Sequence, residues 1–99
     1  MLMEVRELRY FLAVAREENI TRAAESLHIA QPSLSKQLME LEKKLGKKLL
    51  IRGKRKITLT EEGVLLRKRA EEILELVEKT QQEISSDTED VIGDIYMGG

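Results

Sequence analysis

A chain of 99 residues with 35% charged side chains, 3% aromatic ones and no cysteine makes one small domain with an aliphatic core. It excludes disulfide scaffolds and thiolate metal sites. The net charge of −1 hides a division: residues 1–60 carry 13 Lys/Arg against 7 Asp/Glu, and residues 61–99 carry 4 against 11, so whole-chain charge does not exclude a nucleic-acid partner.

No run of about 18 apolar residues occurs, so no transmembrane helix and no membrane partner is expected. Glu4, Arg6, Glu7 and Arg9 interrupt any secretory h-region, and a cytoplasmic protein is the simplest reading. The first helix is predicted over Glu4–Arg16, with Leu8, Phe11, Leu12 and Ala15 at i, i+3, i+4 and i+7 and Val5 and Val14 beside them. Asn19 is the preferred N-cap of the next helix, with Thr21 as the alternative. That helix is short and carries Ala23, Ala24 and Leu27 on one side.

Leu27-His28-Ile29-Ala30 reads as a four-residue break, and Gln31-Pro32 opens a longer helix. Proline suits a helix start because its missing N–H has no intrahelical partner there. Gly46 suits the end, because a left-handed residue costs glycine no Cβ clash. Leu34, Leu38, Leu41 and Leu45 form one buried stripe, and Pro32, Lys36, Met39 and Lys43 lie opposite. Two helices so arranged are a helix-turn-helix, whose second member lies in a DNA major groove. Eight basic residues and no acidic one follow between Lys43 and Lys56. Leu49-Leu50-Ile51 and Ile57-Thr58-Leu59 flank Arg52–Lys56 and read as a hairpin with a basic tip, which beside a helix-turn-helix is a wing.

Thr60 caps a last helix that opens with Glu61 and Glu62 on the positive end of the helix dipole. Gly63 lies in its first turn, where helix propensity offers no reason for it. Leu66, Ala70, Ile73, Val77, Thr80 and Ile84 follow at heptad a/d spacing, widened by Leu65, Leu74 and Leu76. Such a helix runs to Ser85, about 38 Å, and outreaches its own domain, so a second copy is the expected cover for its seam. Ser86–Asp90 reads as an acidic hinge, and Val91–Gly99 as one strand that begins a missing domain. The one histidine, His28, is a turn residue, since a metal site needs several ligands. Ser33 and Ser35 lack a base and an orienting acid at recognisable spacing, so no catalysis, no metal and no cofactor is expected.

Taken together, ELRYFLAVAREENITRAAESLHIAQPSLSKQLMELEKKLGKKLL resembles the opening helix and helix-turn-helix of the LysR-type transcriptional regulators. IRGKRKITLTEEG is similar to that family's wing and linker-helix start, and IGDIYMGG to the first strand of its effector domain. The resemblance implies a mainly α fold. It comprises a winged helix-turn-helix of three helices and a two-stranded wing over 1–60, a linker and dimerisation helix over 61–86, and the hinge and first strand of an absent effector domain over 87–99. It further implies a homodimer on an inverted-repeat site in double-stranded DNA, with any small-molecule inducer binding only the absent domain. Gln31, Pro32, Ser33, Ser35 and Lys36 match the family's DNA-facing positions, and Arg52 and Arg55 match its wing arginines. Thr21, Arg22 and Lys54 complete the expected DNA-contacting set, and Leu66, Ala70, Ile73, Val77 and Ile84 the dimerisation set. Lys36 stands where arginine is common, Leu50 where phenylalanine is common, Glu62 where alanine is usual and Thr58 where a second basic wing residue often sits. The alternatives are another winged-helix regulator, such as a molybdate-responsive type, and a coiled-coil dimerisation adaptor that binds no DNA.

Overall fold

The computed structural model describes residues 3–86. The expected hinge and effector-domain strand, residues 87–99, lie outside the described residues. The elements in order are α1 (Val5–Glu17), α2 (Ile20–Leu27), α3 (Gln31–Leu45), β1 (Leu50–Arg52), β2 (Ile57–Leu59) and α4 (Glu61–Ser85). The strands pair antiparallel in the register Leu50↔Leu59, Ile51↔Thr58 and Arg52↔Ile57.

Phe11, Val14, Leu34 and Leu41 are the largest fully buried side chains. Ile20, Ala23, Ala24, Leu38, Leu49, Leu50 and Ile57 join them in one core beneath α1, α2, α3 and the wing. Burying each aliphatic side chain of leucine size contributes about 1.5–3 kcal/mol. The expected stripe on α1 is corrected: Val5 is exposed, Leu12 and Ala15 are half-buried, and the buried face is Glu7, Leu8, Phe11, Ala13 and Val14. The reason is that α1 is covered both by α2 and α3 and by α4, so a one-stripe reading misplaces its inner arc.

Among the described residues Glu7 is the one buried charged residue, 3% exposed. Its carboxylate accepts the Glu4 N–H at 2.9 Å and meets Lys44 Nζ at 2.7 Å. Burial pushes its pKa up, but the Lys44 hydrogen bond, the Glu4 amide and the charges of Lys44 and Arg6 outweigh that and hold it below the usual 4.5. The pair ties α1 to the last turn of α3.

Helix α4 begins as expected: Thr60 Oγ1 accepts the Gly63 N–H at 3.0 Å and donates to the Lys48 carbonyl at 2.7 Å. The structure supplies the reason for Gly63. A Cβ built at that buried position would overlap the Leu49 carbonyl oxygen and crowd the Leu59 side chain. Gly63→Ala sets two effects against each other. Helix propensity alone favours alanine by about 1 kcal/mol, whereas overpacking against a backbone carbonyl costs about 1–3 kcal/mol. The steric term should win, so urea denaturation should show a lower midpoint for Gly63→Ala; a raised midpoint would mean that α4 can shift away from Leu49 at little cost.

Candidate nucleic-acid interface

The turn between α2 and α3 is tighter than expected. Helix α2 keeps Leu27, and the break is His28-Ile29-Ala30. His28 takes a left-handed conformation with φ 60°, and the Ile29 N–H returns to the Ala24 carbonyl at 3.0 Å. These are the bonds of a Schellman cap, normally built on glycine, so the stop carries no obvious sequence mark. At the other end of α2, Asn19 accepts the Arg22 N–H at 2.8 Å, as expected of the N-cap. Gln31 is the first residue of α3 and Pro32 the second, where proline still removes only an N–H that no helical carbonyl accepts. Gly46 ends α3 at φ 69°.

These caps fix which face α3 turns outward. Leu34, Leu38 and Leu41 are buried and Leu45 half-buried, while Gln31, Pro32, Ser33, Lys36, Met39 and Lys43 are exposed and Ser35 half-buried. The Thr21 hydroxyl lies 3.4 Å from Gln31 Oε1, which joins the first turn of α2 to the start of α3 on one surface. Arg22 is exposed on α2, but it, Gln31 and Ser33 stand outside the grooves described next.

Three grooves cover this side of the molecule. The largest, about 800 Å³, runs along α3 and is lined by Pro32, Ser35, Lys36, Met39, Lys43 and Lys47 among others. A second of about 580 Å³ lies between α3 and β1, where Ser35, Met39, Lys48 and Arg52 meet. The third, about 230 Å³, separates the wing from the start of α2 and brings Thr21 to Arg52, Lys54 and Arg55. Arg52 lines both of the smaller grooves.

The wing departs slightly from expectation. Arg52 belongs to β1, and the Gly53 N–H donates to the Lys56 carbonyl at 3.0 Å, leaving Lys54 and Arg55 as a two-residue exposed tip. The Ile57 N–H donates to the Glu18 carbonyl at 2.9 Å, which hooks β2 onto the left-handed residue after α1. Glu42, which sequence reasoning missed, holds the other strand: its Oε2 accepts the Leu49 N–H at 2.8 Å and the Leu50 N–H at 3.2 Å. A single glutamate in a lysine-rich stretch offers no signal that it will hold backbone amides from the next element.

A helix-turn-helix with an outward polar face, continued by a basic hairpin, defines a winged helix-turn-helix DNA-binding domain. Residues 5–64 match the bacterial regulatory helix-turn-helix proteins of the lysR family, and the chain belongs to that family. It is 47% identical over 97 residues to the HTH-type transcriptional regulator BsdA of Bacillus subtilis, covering 97% of this chain and 33% of that protein. It is 52% identical over 79 residues to the Hca operon transcriptional activator HcaR of Escherichia coli, covering 80% of this chain and 26% of that one. The chain thus spans a third or less of the length of these relatives. Among solved structures, the complex of BenM DBD with benA site 1 DNA superposes with a TM-score of 0.78 at 45% identity, covering 81% of this chain and 93% of that one. These likenesses favour the LysR reading over the molybdate-responsive type and the coiled-coil adaptor.

Proposed function

We propose that this chain reads double-stranded DNA in the bacterial cytoplasm as a two-fold dimer on an inverted repeat, and that its role is binding rather than catalysis. In this reading a small-molecule inducer has its site outside residues 3–86. The start of α3 enters the major groove, where Gln31 can pair with adenine N6 and N7 and Lys36 can donate to guanine N7 or O6. Pro32, Ser33, Ser35, Thr21 and Arg22 set its position on bases and backbone. Arg52, Lys54 and Arg55 on the wing meet phosphates and the minor groove, where width and charge matter more than base identity. The observation that supports this most is the sharing of Ser35 and Arg52 between grooves, which makes helix face and wing one continuous basic surface.

Second-copy contact is proposed through α4. Leu65, Leu76 and Ile84 are 56%, 63% and 71% exposed, Ile73 36%, and Val77 half-buried. Within the proposed seam Ala70 is 0% exposed already in the single chain, on a helix that α1 packs against. Leu66 is likewise packed on the chain's own core. A heptad pattern alone cannot tell a neighbour in the same chain from one in another.

The wing and the recognition helix should fail differently. On a duplex selected from a random pool, Lys36→Ala should cost about 1–3 kcal/mol and relax the preference at one base pair per half-site. Arg55→Ala should weaken selected and scrambled duplexes alike and lower the salt slope by about one unit per lost phosphate contact. Fluorescence anisotropy across several salt concentrations measures both; equal losses on the two duplexes for Lys36→Ala would move Lys36 from bases to backbone. For the dimer, Ile73→Asp should shift sedimentation toward the monomer at tens of micromolar, and a wild-type chain that is itself monomeric there would refute the seam.

A further inference from the structure

Met39 is not part of the buried core. The buried stripe of α3 is complete with Leu34, Leu38 and Leu41, whereas Met39 is 62% exposed on the opposite side. One turn away stand Lys36 and Lys43, at i−3 and i+4. Met39 lines both the α3 groove and the groove leading to β1, so it forms the ridge between them. Each groove is net basic: Lys36, Lys43, Lys47 and Lys48 outnumber Glu40 and Glu42 in the first, and Lys48 and Arg52 outnumber Glu42 in the second.

An apolar ridge flanked by cations on both sides fits a surface that is apolar at its centre and anionic at its edges. A DNA major groove with a thymine on its floor has that character, because the thymine C5-methyl is the one apolar group that base pairs present there. Phosphates on either side answer Lys43 and Lys47 in one groove and Lys48 and Arg52 in the other. Methionine suits such a contact: its unbranched, polarisable side chain adapts to an irregular apolar partner, and its thioether offers no hydrogen-bond donor to guanine.

Resting on the DNA-binding reading above, we infer that Met39 is a specificity-determining residue that packs on the C5-methyl of a thymine in the recognised site. The contact adds thymine preference to the hydrogen bonds made by the first turns of α3, and it lies one to two turns further along the helix.

The test replaces each thymine of the selected duplex in turn with deoxyuridine, which pairs identically but lacks the methyl. Loss of one buried methyl group corresponds to about a three- to fivefold weaker Kd. At one thymine per half-site the wild-type chain should lose about that factor. Met39→Ala should bind the thymine and deoxyuridine duplexes equally, and Met39→Leu should keep most of the discrimination. All variants should retain the wild-type melting temperature and sedimentation. The inference is overturned if every thymine can be replaced at no cost, if Met39→Ala discriminates as the wild type does, or if it alters the oligomeric state instead. Failure of the wild type to enrich any sequence would overturn the DNA-binding reading beneath it, a separate result.

Discussion

Three elements meet at the peptide unit of Leu49. Its N–H is held by the carboxylate of Glu42 from α3, its carbonyl accepts the Thr60 N–H at the start of α4, and that same oxygen is the atom Gly63 makes room for. The neighbouring amide of Leu50 shares the Glu42 oxygen, and the Lys48 carbonyl takes the Thr60 hydroxyl. Buried backbone groups without partners cost about 1–3 kcal/mol each, so the bonds from Glu42 and Thr60 set where β1 leaves α3 and where α4 departs. The wing therefore cannot swing independently of the recognition helix. A binding surface built this way loses little ordering entropy on contact, which is what a two-part reader of DNA requires.

Charge is distributed to match. Of the basic run from Lys43 to Lys56, Lys44 turns inward to Glu7 and Lys48 lies 3.7 Å from Glu42 Oε1. Lys43, Lys47, Arg52, Lys54 and Arg55 remain exposed on the groove side. Exposed ion pairs such as Lys56 with Glu18 at 3.8 Å contribute little to stability and leave the local field basic. Helix α4 carries seven acidic residues between Glu61 and Glu83 against four basic ones, so the balance of charge reverses along the chain.

Much of the architecture was legible because helix ends are written in local chemistry. Asn19, Pro32, Gly46 and Thr60 each act within one turn of where they stand, and the leucine spacing of α3 reports directly on a helix covered on one side. What escaped the sequence depends on distant partners. Glu7 reads as a surface residue until Lys44, 37 positions away, is brought to it. Gly63 is explained by the Leu49 carbonyl, outside its own helix, and Ala70 is buried within the single chain although its spacing suits a dimer seam equally well. Glu18 and His28 hold left-handed conformations that neither residue type announces. In the candidate interface, Thr21, Pro32, Ser35, Lys36, Arg52, Lys54 and Arg55 are legible by type and position and line the grooves, whereas Arg22, Gln31 and Ser33 do not, and Met39 shows its outward position but no task in its residue type.

Glu42 fuses the wing and α3 into one unit through the Leu49 and Leu50 amides, and amide hydrogen exchange tests that fusion most directly. In the wild-type chain the Leu49 and Leu50 amides should be strongly protected. In Glu42→Ala they should exchange about ten- to hundredfold faster, the factor that matches losing a buried hydrogen-bond partner, while amides of α1 and α2 change far less. Unprotected Leu49 and Leu50 amides in the wild type, or protection that survives Glu42→Ala intact, would contradict the account.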